Sequence, residues 1–275
     1  MSYFKDKVCV ITGAGSGIGR ATAIKLAAQG AIVVASDLHK ETIGETQKRI
    51  EANGNTCVSY IVDVTDRDAV FDLAAQVVKD HGHADLILNN AGIANIASVE
   101  ELTAETLKLI MDVDFWGVVN GTQAFLPYMR QSNFGHIANV SSIFGWIGVP
   151  QQAAYNAAKF AVHGFTEALR QEMYGTNIKV SCIHPGGVDT QIARNAELPQ
   201  GQDNDARREE IAQNFKKVVK STPEKAANTI ISGIEKGKAR ILIGRDAHMV
   251  DIVRRIFPVR YGQILGFGKE IELNS

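Results

Sequence analysis

Seven short runs of β-branched and other apolar residues recur along the chain, at 8–11, 32–36, 57–62, 85–88, 136–140, 178–183 and 240–243. Several are apolar almost throughout, without the polar alternation of a half-exposed strand, which is the pattern of parallel strands covered on both faces by helices. Helical patterns lie between them, at 18–29, 41–52, 66–80, 104–130, 153–174, 223–235 and 247–257. In the first, Ala23, Leu26 and Ala27 fall at core spacing and Gly30 provides the stop. The alternation predicts an α/β protein: a single doubly wound (Rossmann) domain over residues 1–275, with a seven-stranded parallel sheet flanked by helices. Ligands are then expected at the carboxyl ends of the strands.

Composition narrows the function classes. With 45% hydrophobic and 21% charged residues the chain reads as globular and soluble, and a net charge of −1 gives no electrostatic case for nucleic acid. Cys9, Cys57 and Cys182 fall in apparent strands, are odd in number and lack metal-ligand spacing, so buried free thiols in a reducing cytosol are expected and no metal is. The N-terminal stretch has no signal-peptide pattern, and no apolar run approaches the roughly 18 residues of a membrane span. The expected location is cytoplasmic.

Two stretches carry chemistry. The first, TGAGSGIG (Thr12 to Gly19), joins the first strand to the first helix. There Gly13, Ser16, Gly17, Ile18 and Gly19 can bring backbone amides and a helix N-terminus up to a pyrophosphate. The second, SSIFGWIGVPQQAAYNAAK (Ser141 to Lys159), places a hydroxyl pair on a loop and then Tyr155 and Lys159 four apart in an alanine-rich helical run. That spacing puts both side chains on one helix face, where the ammonium favours the phenolate and suits Tyr155 to proton transfer. In an arbitrary chain such a pair is a surface or packing feature, so the surrounding motifs decide.

With Asn89-Asn90-Ala91-Gly92 between these stretches and Pro185-Gly186 after them, the chain resembles the short-chain dehydrogenase/reductase family from about Lys5 to Gly244. The resemblance implies a nicotinamide dinucleotide cofactor and hydride exchange with a carbon bearing oxygen. The family spacing of thirteen from Ser to Tyr selects Ser142 as the hydroxyl that fixes the reacting oxygen, with Ser141 left as a loop or capping residue. By the same resemblance Tyr155 is the acid/base, and Lys159 lowers its pKa and bonds the nicotinamide ribose. Asp63 contacts adenine with Val64 beside it, and Asn90 braces the turn near the cofactor. Pro185 and Gly186 turn the chain at the ligand edge, and Val188 and Thr190 meet the carboxamide. One departure stands out. The family commonly has Asn twenty-eight residues before the Ser, holding a water by the Lys, and this chain has Asp114 there.

The second strand ends in Asp37, eighteen residues after Gly19, where such folds place an acid that binds the adenosine ribose. A carboxylate would repel a 2′-phosphate, and Ala14-Gly15-Ser16 and Leu38 offer no cation to bind one, so NAD is favoured over NADP. A capping role for Asp37 competes, and His39 and Lys40 leave room for NADP. Asp63 likewise reads as a turn residue on local grounds.

Residues expected near the reacting centre are mostly apolar: Ala94 and Ile96, then Ile143, Phe144, Trp146, Ile147, Val149 and Pro150, then Ile192 and Ala193, with Arg194 the one nearby cation. A small hydrophobic secondary alcohol or ketone fits such a lining. Residues 191–208 read as a polar loop, and 190–215 as a lid. His163 reads as a packing residue, and His184 is explained by the proline after it. Helices 104–130 and 153–174 form a subunit interface by resemblance, giving a homodimer or homotetramer. The extension at 246–275 is amphipathic, and from Lys236 onward the balance is +4. Packing on its own protein is favoured there over peripheral contact with an anionic membrane. The leading function is an NAD-dependent alcohol dehydrogenase or carbonyl reductase. The alternatives are an NADP-dependent carbonyl reductase and a catalytically weak dinucleotide-binding regulatory protein.

Overall fold

Each apolar run becomes a parallel strand: β1 Val8–Thr12, β2 Ile32–Asp37, β3 Cys57–Ile61, β4 Leu86–Asn89, β5 Gly135–Val140, β6 Ile178–Pro185 and β7 Arg240–Ile243. The computed structural model describes residues 2–199, 201, 205–219 and 221–267. Within it the strands form one sheet in the order β3-β2-β1-β4-β5-β6-β7. Every residue of β1, β4 and β5 is buried, as two-sided helix cover requires. One face packs against α1 (Gly17–Ala28), α2 (Lys40–Glu51) and α8 (Pro223–Glu235) through residues such as Leu26, Ile43 and Ile230. The other packs against α3 (Arg67–His81), α5 (Gly117–Ser132) and α6 (Ala153–Glu172) through Leu73, Phe125 and Leu169. From β1 the chain winds outward to β3, then returns to β4 and winds the other way, so a crevice opens at the carboxyl ends of β1 and β4.

Two sequence expectations give way. The single helix read over 104–130 is α4 (Ala104–Met111), a five-residue π-helical segment (Asp112–Trp116) and then α5. A π turn inserts one residue into an otherwise unbroken periodicity, so its only sequence trace is a slip of phase. Of the loop read over 191–208, residues 191–199 are loop and 205–208 open α7 (Asp205–Val218). That helix buries only Ile211 and Ala212 among its described side chains, too few to mark an apolar stripe. The lid assigned to 190–215 includes residues 200 and 202–204, and the extension to 275 runs past 267; these lie outside the described residues. The chain ends its described part with α9 (Arg245–Ile256) and the short α10 (Tyr261–Leu265). Among the described residues no helix is long and apolar enough to cross a membrane. Cys9, Cys57 and Cys182 are buried and unpaired, and burial pushes the last two thiols up to about 12.

Candidate active site

The glycine-rich turn works by close approach. Gly13 has φ +63°, and a side chain there would meet the Ala91 Cα at 2.7 Å. One at Gly19 would strike the Gly13 carbonyl and the Asn90 amide. Asn90 Nδ2 donates to the carbonyls of Thr12 (3.0 Å) and Gly13 (3.1 Å), while Thr12 Oγ1 accepts from the N–H groups of Asn90 and Ala91. Asn90 is therefore a brace that fastens the β1 turn to the end of β4. Helix α1 starts at Gly17 with no acidic residue in its first turn and no side-chain cap from Ser16, so its N-terminal amides are open to an anion. A side chain at Gly17 would lie 3.0 Å from Thr190 Cγ2, which places Thr190 across the mouth of that turn. Ile18 packs partly into the core behind it.

Asp37 is half-buried at the end of β2, where its carboxylate accepts from Gly15 N–H (2.9 Å) and His39 N–H (3.1 Å). The structure adds Arg20, which the sequence reading missed because it stands one helical turn beyond Ser16. Its guanidinium donates to the carbonyls of Gly15 and Thr42 and to Thr46 Oγ1, and pairs with Glu45 at 2.9 Å. Asp63 is exposed and accepts from the N–H and hydroxyl of Thr65, the local turn role, while Val64 is buried under Gly117 and gives its carbonyl to Asn120.

The proton-transfer groups converge. Lys159 and Asp114 are both buried, with Nζ 3.0 Å from Asp114 Oδ2 and 3.2 Å from the Val140 carbonyl. Asp114 Oδ1 accepts from Ile93 N–H at 2.8 Å, and Oδ2 has only the ammonium opposite it. Nζ also lies 5.4 Å from the centre of the Tyr155 ring. A side chain at Gly92 would press on both Nζ and the Asp114 carboxylate, so the backbone closes this pair in. Burial is the largest influence on Tyr155 and raises its pKa; Asp114 adds to the rise, whereas Lys159 and a hydrogen bond with Ser142 oppose it. Lys159 lowers this pKa as expected, but burial outweighs that pull and the net direction is upward. Burial also raises the Asp114 pKa against the pull of Lys159. Burial pushes the Lys159 ammonium the other way, but Asp114 and Tyr155 outweigh it and hold its pKa up.

Ser142 is buried at the end of β5 and its Oγ accepts from Phe144 N–H at 3.1 Å, while Ser141 Oγ donates to the Lys159 carbonyl at 2.8 Å, a structural role. Two positioning residues, Asn156 and Asn95, escaped the sequence reading, and a third, His184, has a side-chain role beyond the backbone one read for it. Asn156 Nδ2 donates to the carbonyls of Phe144 and Ile147 (2.8 Å each) and its Oδ1 accepts from Val149 N–H, pinning the loop that faces Tyr155. Asn95 Oδ1 accepts from Tyr155 N–H at 3.2 Å. His184 Nδ1 lies 3.1 Å from the Ser142 carbonyl, and burial holds its pKa down to about 3, so the neutral ring donates there. A buried amide or imidazole reveals such partners only when the chain is folded.

The apolar lining divides. Phe144 stands edge-on to Tyr155 with ring centres 6.1 Å apart, whereas Trp146 is turned into the packing, stacked on His184 at 4.0 Å and covered by Arg240. His163 packs against both rings, the packing role expected of it. Arg194 is 3.6 Å from Glu209 and directs its charge there. Pro185 closes β6, and the turn beyond it is held by Gly186 N–H to the Ile243 carbonyl and Gly187 N–H to Asp246 Oδ2 (2.6 Å). Val188 is buried beside Ser221. Among the described residues no group of His, Cys, Asp and Glu could hold a metal.

A doubly wound sheet with a glycine-lined helix N-terminus at its switch point, and a half-buried Tyr between a buried Ser and a buried Lys beside it, defines a nicotinamide-dinucleotide oxidoreductase. The short chain dehydrogenase family model matches residues 7–201, and the chain belongs to that family. It is 46% identical over 271 residues to SadH of Mycobacterium tuberculosis, named as an oxidoreductase, covering 98% of this chain and 97% of that one. A short-chain dehydrogenase/reductase of Burkholderia phymatum, solved in complex with NAD, superposes with a TM-score of 0.84 at 29% identity, covering 93% and 95% of the two chains. A metagenomic short-chain oxidoreductase in complex with NADP does so with 0.70 at 25% identity, covering 87% and 97%. A nicotinamide dinucleotide is thus the cofactor class, and its relatives use both forms.

Proposed function

We propose that the protein transfers a hydride between NAD(H) and a hydrophobic secondary alcohol or ketone, with Tyr155 as the acid/base. The observation that carries this reading is the line of buried Asp114, Lys159 and Ser142 with the half-buried Tyr155, next to an open helix N-terminus. When bound, the cofactor supplies the hydride acceptor or donor. The chain's own residues do the rest. Ser142 and Tyr155 hold the substrate oxygen, Tyr155 takes the hydroxyl proton in oxidation and returns it in reduction, and Lys159 balances the phenolate charge. Ser16, Gly17 and Gly19 would hold the pyrophosphate, Asp37 the adenosine ribose, Asp63 and Val64 the adenine side, and Val188 and Thr190 the carboxamide.

NAD is favoured over NADP because β2 ends in the Asp37 carboxylate beside the glycine-rich turn, and because Arg20 is committed to Glu45 and three oxygens. An apolar substrate is favoured because Ile143, Phe144 and Val149 pack with Tyr261, Leu265 and Phe267 into a common wall. The described residues 190–199 and 205–215 suit a lid, anchored where Glu197 exchanges hydrogen bonds with the 94–96 stretch. The exposed apolar residues Leu107, Leu109, Trp116 and Phe160 on α4 to α6 suit a homodimer or homotetramer. Three buried free thiols suit the cytoplasm.

The test is a panel of secondary alcohols and ketones, aliphatic, aryl and polycyclic, followed by nicotinamide absorbance with both cofactors. Turnover with NAD that vanishes in Tyr155→Phe is the expected result. Tighter binding of NADPH than NADH would overturn the cofactor choice, and no turnover with any of the panel would favour a binding protein without catalysis.

A further inference from the structure

Segment 245–267 is apolar on two sides. Its inner side is accounted for: Ala247 and Val250 are buried, and Tyr261, Leu265 and Phe267 pack on the wall beside Phe144. Tyr261 Oη accepts from Gly148 N–H at 2.9 Å, so the segment is fastened to the loop that flanks Tyr155. The outer side is a ridge of Met249, Ile252, Ile256, Phe257, Val259 and Ile264, all exposed, with Val259 at 89% and Ile256 at 63%. On α9, Arg245, Met249, Ile252 and Ile256 recur at helical spacing along one stripe, opposite the buried Ala247 and Val250. A helix apolar on both sides has a second neighbour.

The charges say which neighbour. Both acids of the segment are engaged away from the ridge, Asp246 by Gly187 N–H and Asp251 by Arg240 (2.7 Å) and Arg255 (3.0 Å). Arg245 and Arg260 are exposed and make no ion pair among the described residues, so within them the ridge is rimmed by positive charge. In a two-fold contact between copies the same patch would face itself, and among the described residues it brings unpaired arginines and no free acid to meet them. An anionic bilayer surface meets both properties at once: apolar side chains enter the acyl boundary while arginines reach the phosphates. No described helix can cross the bilayer, which leaves lying on it.

We infer that α9 and α10 dock the protein on an anionic lipid surface. The segment that bears the ridge also packs beside Phe144 through Tyr261 and Leu265 on its inner side, so docking brings that side of the site close to the phase in which an apolar alcohol or ketone dissolves. That last consequence rests on the proposed substrate class; the docking does not.

Flotation of the full chain with vesicles of phosphatidylcholine, alone or mixed with phosphatidylglycerol, tests the inference without any enzymatic readout. Wild type should float only with phosphatidylglycerol present and be released by high salt. The doubly substituted Ile256→Asp/Val259→Asp and Arg245→Glu/Arg260→Glu proteins should both remain at the bottom of the gradient, with unchanged circular dichroism and light scattering. Wild type that stays down with anionic vesicles overturns the inference, as does flotation equal to wild type in both variants. Light scattering that shows a dimer lost in Ile256→Asp/Val259→Asp overturns it too, by assigning the ridge to a second copy.

Discussion

Replacing Asp114 by asparagine removes one charge from the buried pair while keeping the side chain's shape. At 3.0 Å and an effective dielectric of about 20, the attraction between Asp114 and Lys159 is roughly 5 kcal/mol before desolvation, which offsets much of it. The amide oxygen can face Ile93 N–H or the ammonium, but not both, so one buried donor loses its partner at about 1–3 kcal/mol of stability. The catalytic effect has the opposite sign. Tyr155 accepts the alcohol proton only as phenolate, so oxidation is lost as pH falls through its pKa. Burial holds that pKa up first and Asp114 adds to it, so removing Asp114 lowers it and moves the rising limb of the oxidation profile toward lower pH. Lys159 loses the partner that raises its own pKa, so the plateau also narrows from the alkaline side. The assay is kcat for alcohol oxidation against pH, paired with the thermal midpoint. Turnover near neutrality should be kept or raised in a less stable protein. A fall in kcat of more than tenfold, about 1.4 kcal/mol of barrier, with no acid shift of the limb, would refute the reasoning and show that the carboxylate itself is needed to hold Lys159.

Other perturbations reach separate parts of the site. Tyr155→Phe should reduce turnover by at least about a hundredfold while NADH binding, followed by its fluorescence, stays within the wild-type range. Asp37→Ala should weaken NAD by roughly ten- to a hundredfold, the worth of about 1.5–3 kcal/mol for hydrogen bonds to a charged group, and narrow the gap to NADP; calorimetry with both cofactors reads this. Asn156→Ala leaves the backbone groups of Phe144, Ile147 and Val149 without their partner, so denaturant unfolding should show a loss of about 1–3 kcal/mol together with a raised KM. His136 and His184 are buried neutral, with pKa values held down to about 4 and about 3 from an ordinary 6.5. Their contribution is complete above the unfolded value and falls as pH drops below it, because the unfolded chain then binds more protons. Urea midpoints taken from pH 7 downward should fall less steeply in His136→Asn than in wild type.

Much of the fold was legible because strands buried on both faces leave nearly unbroken apolar runs, and all seven strands fall within two residues of their sequence positions at either end. The Tyr155 and Lys159 pair was legible because helical spacing alone brings them to one face. What stayed hidden are contacts between elements distant in sequence. Arg20 meets Glu45 across two helices, and His184 reaches Ser142 from a neighbouring strand. No periodicity announces a polar side chain whose partner is a backbone carbonyl forty-two residues away. The same holds for α7, whose short buried stripe leaves a pattern no different from a polar loop.

The π-helical segment links these two levels. It places Asp114 inward, fully buried against Lys159, and it precedes Gly117 and Gly121, four residues apart on α5. A side chain at Gly117 would run into Val64 at 2.7 Å, and one at Gly121 would overlap the Asn89 amide oxygen, so α5 can lie this close to the ends of β3 and β4 only with both glycines present. Asn89 in turn donates to Asn139 at 2.8 Å, and Asn139 to Thr166 on α6, the helix that carries Tyr155 and Lys159. The inserted residue and the glycine face therefore act as one device: the insertion aims the carboxylate, and the close approach of α5 fixes how far it reaches. Gly121→Ala should accordingly shift Asp114 as well as loosen the sheet, and its oxidation profile should move in the same direction as that of Asp114→Asn. A Gly121→Ala protein that loses stability but keeps the wild-type profile would separate the two and confine the glycine to packing.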